Sequence, residues 1–253
     1  MRCRLIPLLF SLFFVGICIR PVSSAETLQL VTLDYPPYEY SENGEVKGLA
    51  VNVVREVFRR LNYKVEIKFL PWSRSLKLVE LGQADAIFTA YRTPERELFL
   101  DYSNEILMSQ EVSLFIRKGF EIPQNHDFAN LAEYHFGARR GVSYGAKFDT
   151  AVEEGTLRSV YRVSDGNALI KLLLNKRVDI VPFNRLGAYY RFRKLGVAKD
   201  VEELSSPIQS VPSYIAFSKK RNHAALRDQV DQVLKEMKLD GSYDRLTAYE
   251  LIQ

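Results

Sequence analysis

Residues 63–69, YKVEIKF, alternate without a break: Val65, Ile67 and Phe69 fall on one side and Lys64, Glu66 and Lys68 on the other. A period of two predicts a strand with one covered face. Just upstream the period changes. In LAVNVVREVFRRLN, residues 49–62, Ala50, Val53, Val54, Val57, Phe58 and Leu61 share one helical face, with Arg55, Arg59 and Arg60 off it. Before that, LQLVTLD (28–34) reads as a strand that the Pro36-Pro37 pair turns into a loop. Strand, helix, strand is a β-α-β unit, and the order continues. A helix over 75–81, the buried-type strand ADAIFTA, a short helix at PEREL and the long strand EVSLFIRKG follow.

A second series begins after the polar stretch EIPQNHD. It comprises a short helix ANLAEY, strand FGARR, a turn, helix GAKFDTAVEE, strand RSVYRVS, helix NALIKLLLNK, strand VDIVPFN and helix GAYYRFRKL. The chain closes with SYIAFSKK, the amphipathic HAALRDQVDQVLKEM and a terminal helix after Gly241. Such alternation predicts an α/β fold of two lobes, each a mostly parallel sheet flanked by helices.

The extreme N-terminus does not fit that rhythm. Arg2 and Arg4 precede an apolar run from Leu5 to Ile19, and Val22, Ser23, Ser24 and Ala25 form a small-residue site. This is the layout of a secretory signal peptide, expected to be cleaved after Ala25 and to send the protein to the periplasm. Both cysteines, Cys3 and Cys18, fall inside it, so the remaining 228 residues hold neither a disulfide nor a thiolate ligand. The leader also carries three of the 35 basic residues and no acidic ones, leaving 32 against 31. Near-neutrality argues against nucleic acid or an anionic membrane as partner. Three scattered histidines give no metal cluster, and no cofactor is expected.

The chemistry centres on FGARRGVSYGAKF, whose GVSYG matches the G-x-S-x-G pattern of serine hydrolases. A nucleophile needs a base. Downstream of Ser143 stands only His223, read as a solvated residue at a helix start that Asn222 caps, and no His-Gly-Gly run supplies an oxyanion loop. The other reading is an anion-binding turn, in which Gly141 bends the backbone and Ser143 opens a helix with free N–H groups. A plain capping serine is the ordinary alternative.

A second element favours the anion reading: DAIFTAYRTPERELFLDYS leaves a buried strand at Thr89 and presents Arg96 on the first turn after Thr93-Pro94. With DYPPYEY, GEVKGLAVNVVREVFRRLNYKVE, LLLNKRVDIV and LKEMKLDGSYDRL, the chain resembles the family 3 bacterial extracellular solute-binding proteins over nearly its whole length after the leader. The resemblance implies a type II periplasmic-binding fold with two lobes joined by two crossing strands, expected near residues 108–111 and 210–213. Lobe 1 would comprise 26–109 plus 212–253, and lobe 2 would comprise 110–211. It implies that Arg96 grips a ligand carboxylate from lobe 1 while Gly141 and Ser143 form the opposite jaw. Tyr35 and Tyr38 would wall the cleft, and Thr89 and Tyr91 would offer contacts from the strand end. Asn184 stands where many relatives carry an acid for the ligand ammonium, and an amide cannot neutralise that charge. Trp72 and Arg74 are expected beside the cleft. With Arg92, Arg139 and Arg140, they suggest a ligand more negative, or less positive, than a neutral amino acid.

The function so implied is capture of a small polar carboxylate-bearing solute, without catalysis, by a monomer that presents it to an ABC-type permease. Two alternatives stay open: a sensor module serving a signalling partner, and a periplasmic enzyme of the cyclohexadienyl dehydratase kind using a buried acid such as Glu39.

Overall fold

The computed structural model describes residues 27–122, 127–204 and 207–248. The expected leader, with both cysteines, lies outside them, as does His126.

The first lobe opens with β1 (Thr27–Thr32), a small hairpin of β2 (Tyr40–Glu42) and β3 (Glu45–Lys47), and α1 (Leu49–Arg60). Next come β4 (Lys64–Phe69), α2 (Trp72–Glu80), β5 (Ala86–Tyr91), α3 (Pro94–Glu97) and β6 (Leu100–Tyr102). The long β7 (Met108–Arg117) leads to β8 (His135–Arg139), α4 (Ala146–Glu153), β9 (Ser159–Val163), α5 (Gly166–Leu174), β10 (Ile180–Asn184), α6 (Arg185–Lys194) and β11 (Val201–Glu203). The chain returns along β12 (Gln209–Ser218) and ends in α7 (Ala224–Leu239) and α8 (Ser242–Thr247).

Among the described residues, ten strands form one curled sheet in the order β4-β1-β5-β12-β7-β10-β8-β9, with β6 on β12 and β11 on β7. Its flanks are parallel, as the α/β alternation predicts: β1 with β4 and β5, and β8 with β9 and β10. The middle is antiparallel and makes the sheet mixed rather than mostly parallel. β7 and β12 pair from Met108↔Ser213 to Val112↔Gln209, after which each strand continues into a different flank. Two strands that carry the chain out and back must run in opposite directions, which a strand-by-strand reading does not show.

The apolar faces collect accordingly. One cluster, including Leu30, Val53, Phe58, Phe88, Phe217 and Leu234, packs α1, α2 and α7 around the β1/β5 flank. Two others cover the faces of the second flank, one around Phe136 and Phe148, the other around Phe115, Phe183 and Phe192. The segment ANLAEY is a run of turns rather than a short helix. The hairpin β2–β3, absent from the sequence reading, has only three residues per strand, too short for a periodic signal.

Candidate functional site

Three structural decisions build the site. The first is in β5. Against β12, Ile87 pairs with Ala216 and Ala90 with Tyr214, so β5 carries one extra residue, a β-bulge at Phe88–Thr89. Thr89 takes a left-handed φ of 55°, uncommon and strained for a β-branched residue, and its hydroxyl lies 2.6 Å from both the Phe88 carbonyl and Glu39 Oε1. The second is the turn after β8. Gly141 has φ 72°, which a side chain resists, and its carbonyl accepts from Arg96 Nη2 at 3.1 Å. The third is the 35–39 turn, clamped where Gly48 passes so close that a Cβ there would lie 2.2 Å from the Tyr38 carbonyl oxygen.

These decisions bring Tyr35, Trp72, Thr89, Tyr91, Arg96 and Ser143 around one cavity, with Leu33, Gln110, Val142 and Tyr144 completing its wall. The cavity has a volume of about 30 Å³. That is room for water but not for a solute of amino-acid size. Outside it, Arg96, Gly141 and Ser143 also edge a depression of about 360 Å³ with Glu95, Asp149 and Arg162. Arg96 therefore stands as a bar between mouth and interior.

Arg96 is 8% exposed. Its Nη1 donates to the Tyr91 carbonyl at 2.9 Å, and its guanidinium lies 5.5 Å from the centre of the Trp72 ring. Its guanidinium donates to the carbonyls of Tyr91 and Gly141 rather than to the neighbouring Glu95 or Glu97, and the latter faces Arg92 at 3.6 Å. Burial draws the Arg96 pKa down from its ordinary value, a measure of what holding this charge costs.

Ser143 corrects the sequence reading. It does not open the helix: α4 starts at Ala146 after Gly145 at φ 90°. The Ser143 hydroxyl donates to Asp149 Oδ2, and the Tyr144 N–H donates to Asp149 Oδ1 at 3.0 Å. The protein's own carboxylate thus occupies the place an anion would take at this helix start. The hydroxyl points to a carboxylate and not to a histidine, unlike the serine of a His-dependent hydrolase. His223, expected to be solvated, is held by Asp85 Oδ1 at 3.0 Å on the far side of the lobe.

Other expected residues lie elsewhere. Arg74 is exposed and lines no part of the cavity; two helical positions after Trp72, it points some 200° away around α2. Tyr38 stacks on Tyr35 at 6.3 Å but edges a separate hollow with Glu111 and Arg185. Asn184 is buried behind Gln110 as the α6 N-cap, its Oδ1 accepting from Gly187 N at 3.0 Å and its Nδ2 facing Gln110 Oε1 at 3.4 Å. Of the arginines expected to make the mouth positive, Arg92 and Arg140 are exposed and Arg92 lies over the Tyr102 and Tyr214 rings. Only Arg139 turns inward, at 5% exposure.

The sequence reading missed Gln110 and Tyr144. Gln110 accepts from Tyr91 OH at 2.8 Å, and Tyr144 accepts from Arg139 N at 2.9 Å. A glutamine inside a strand and a tyrosine beside a glycine carry no signal until the strands pair.

Contacts across the cleft are numerous. Besides Arg96 to Gly141, Asn184 N donates to Tyr35 OH at 3.1 Å, Arg191 Nη2 donates to the Asp34 carbonyl at 2.9 Å, and Lys194 pairs with Glu42. A single curled sheet with two covered flanks thus meets at its two crossing strands, with the cavity between the flanks. Over residues 29–249 the chain matches the bacterial extracellular solute-binding proteins, family 3. It belongs to that family. Among relatives of this family 3 protein, the arginine-binding extracellular protein ArtP of Bacillus subtilis (strain 168) is 21% identical over 217 residues, 84% of this chain and 81% of ArtP. Holo ArgBP from T. maritima shares the fold with a TM-score of 0.72 at 21% identity, covering 84% of this chain and 90% of its own. A histidine kinase sensor domain with similarity to periplasmic binding proteins has a TM-score of 0.79 at 18% identity, covering 88% and 95%. Among the described residues, no helix is long and apolar enough to cross a membrane, and no group of three or more His, Cys, Asp or Glu is placed to hold a metal.

Proposed function

We propose that this family 3 protein is a periplasmic receptor that captures a small carboxylate-bearing solute, an amino acid or related compound, between its lobes and presents it to an ABC-type permease. The observation carrying this reading is a buried Arg96, hydrogen-bonded to the Tyr91 and Gly141 carbonyls and to no carboxylate among the described residues, set against the Gly141–Ser143 turn of the other lobe around one cavity. A guanidinium offers two parallel donors matched to a carboxylate. A guest carboxylate replaces the carbonyl partners and supplies the missing countercharge. Because Arg96 and Ser143 belong to different lobes, a guest touching both favours the closed form by its extra contacts there. Tyr35, Trp72, Thr89 and Tyr91 shape the chamber; Asn184 acts behind it, holding Gln110 and the start of α6. The hinge of this reading is the β7–β12 pairing, with 26–109 plus 212–253 forming one lobe and 110–211 the other.

The names of relatives that bind arginine, histidine and cystine support an amino-acid class of guest. A signalling partner in place of a permease is the second reading, favoured by the likeness to a sensor domain. Uptake of radiolabelled solute by cells lacking the protein, with and without complementation, separates the two: a transport receptor restores uptake. The binding claim itself is tested by calorimetry against a panel of amino acids and carboxylic acids. Saturable 1:1 binding that Arg96→Ala removes is expected, and unaltered affinity in that variant would refute it.

A further inference from the structure

Behind the cleft wall lies a second guanidinium that the reading above does not use. Arg139, the last residue of β8, is 5% exposed, yet its Nε and Nη1 have no hydrogen-bond partner. Its guanidinium carbon lies 5.7 Å from the centre of the Tyr35 ring, and its backbone N–H is held by Tyr144 OH. Tyr35 and Tyr144 both line the cavity, and Tyr35 belongs to the other lobe; Arg139 is not itself a lining residue and stands directly behind that wall. Across from it is Glu39, fully buried, whose Oε1 accepts from Thr89 and whose Oε2 has no partner. Among the described residues no ion pair joins Arg139 to Glu39, and burial raises the Glu39 carboxyl pKa well above its ordinary value.

The charge account of the interior is thus two buried guanidiniums, Arg96 and Arg139, with no carboxylate bonded to either. An uncompensated buried charge is costly unless something supplies its partner. The gap between Arg139 and Tyr35 is an interlobe gap, and it widens with any separation of the lobes. Resting on the proposed solute-binding function, we infer that Arg139 determines specificity for solutes with two carboxylates, one taken by Arg96 and the other by Arg139, with Glu39 as the polar group beside them. Glu39 serves either kind of dicarboxylate. Protonated, it donates to a guest oxygen; ionised by an arriving ammonium, it accepts from an amino-dicarboxylate.

The test is calorimetric titration of the protein, expressed from the full chain, with glutamate, glutarate and glutamine, repeated on Arg139→Gln and Glu39→Gln. At least about tenfold tighter binding of glutamate or glutarate than of glutamine is expected, since one charged hydrogen-bonded contact is at stake. Arg139→Gln should erase that preference, glutamate and glutarate losing affinity by a larger factor than glutamine. Loss of glutamate but not glutarate binding in Glu39→Gln identifies the guest as amine-bearing; unchanged binding of both identifies a plain dicarboxylate, and either fits the inference. Glutamine binding as tightly as glutamate, or a preference that survives Arg139→Gln, overturns the inference while the receptor function stands. Binding of none of the three, or of any other carboxylate-bearing solute, overturns both.

Discussion

Arg96 shows how a residue ordinary in sequence becomes decisive by position. Arginine on a short surface helix usually meets a neighbouring glutamate, yet α3 is so short that its side chain reaches past Glu95 and Glu97 into the interlobe gap. Replacing it with lysine keeps the charge but removes the planar pair of donors. Arg96→Lys should therefore weaken carboxylate binding by about tenfold or more, with little change in melting temperature, as read by calorimetry and thermal denaturation. Glu39 carries a different prediction. The folded protein keeps a proton on this buried carboxyl that the unfolded chain releases above its ordinary value of 4.5. The stability contributed by Glu39 is thus fully present below that value and is lost as pH rises toward its elevated folded-state value. Glu39→Gln should match the parent in acid and exceed it at pH 8 by about 1 kcal/mol, roughly 2–4 °C in melting temperature. Equal pH profiles for the two proteins would contradict this.

At the scale of elements, the bulge in β5 and the turn after β8 aim the site. Thr89 is held in a left-handed conformation and satisfies one oxygen of Glu39. Thr89→Val keeps the shape but removes that donor from a buried acceptor, and should cost about 1–3 kcal/mol in urea unfolding. Gly141→Ala places a Cβ 3.4 Å from that of Ser73 at a φ of 72°. We expect a loss of about 1–2 kcal/mol together with weaker ligand binding, because the strained backbone carries the carbonyl that faces Arg96. The alternation of elements was legible from periodicity, since 49–62 buries Ala50, Val53, Val54, Val57 and Phe58 and 63–69 half-buries Val65, Ile67 and Phe69 while exposing Lys64, Glu66 and Lys68. Trp72 and Arg74 stand two residues apart on α2, a spacing that by helix geometry alone puts them on different sides.

For the whole molecule, the contacts that close the cleft are unequal. Lys194–Glu42 is exposed and contributes little. Arg191 is almost fully buried and reaches Asp34 across the gap on the side opposite Arg96. Arg191→Ala should shift the solute-free protein toward an open form, raising the radius of gyration in small-angle scattering above the roughly 17 Å of a compact chain this size. Saturating ligand should restore the parent value. An unchanged solute-free profile would show that Arg191 does not latch the lobes.

Sequence alone determined the α/β class and the family, because periodicity and the order of motifs are properties of the chain itself. It could not decide which charges are balanced. The engagement of Ser143 by Asp149, the commitment of Asn184 to a helix cap, and the two arginines left without a bonded carboxylate arise from pairings between segments far apart in the chain. Charge compensation is a matter of distance in space, and only the folding of β8 and the 35–39 turn against each other sets those distances.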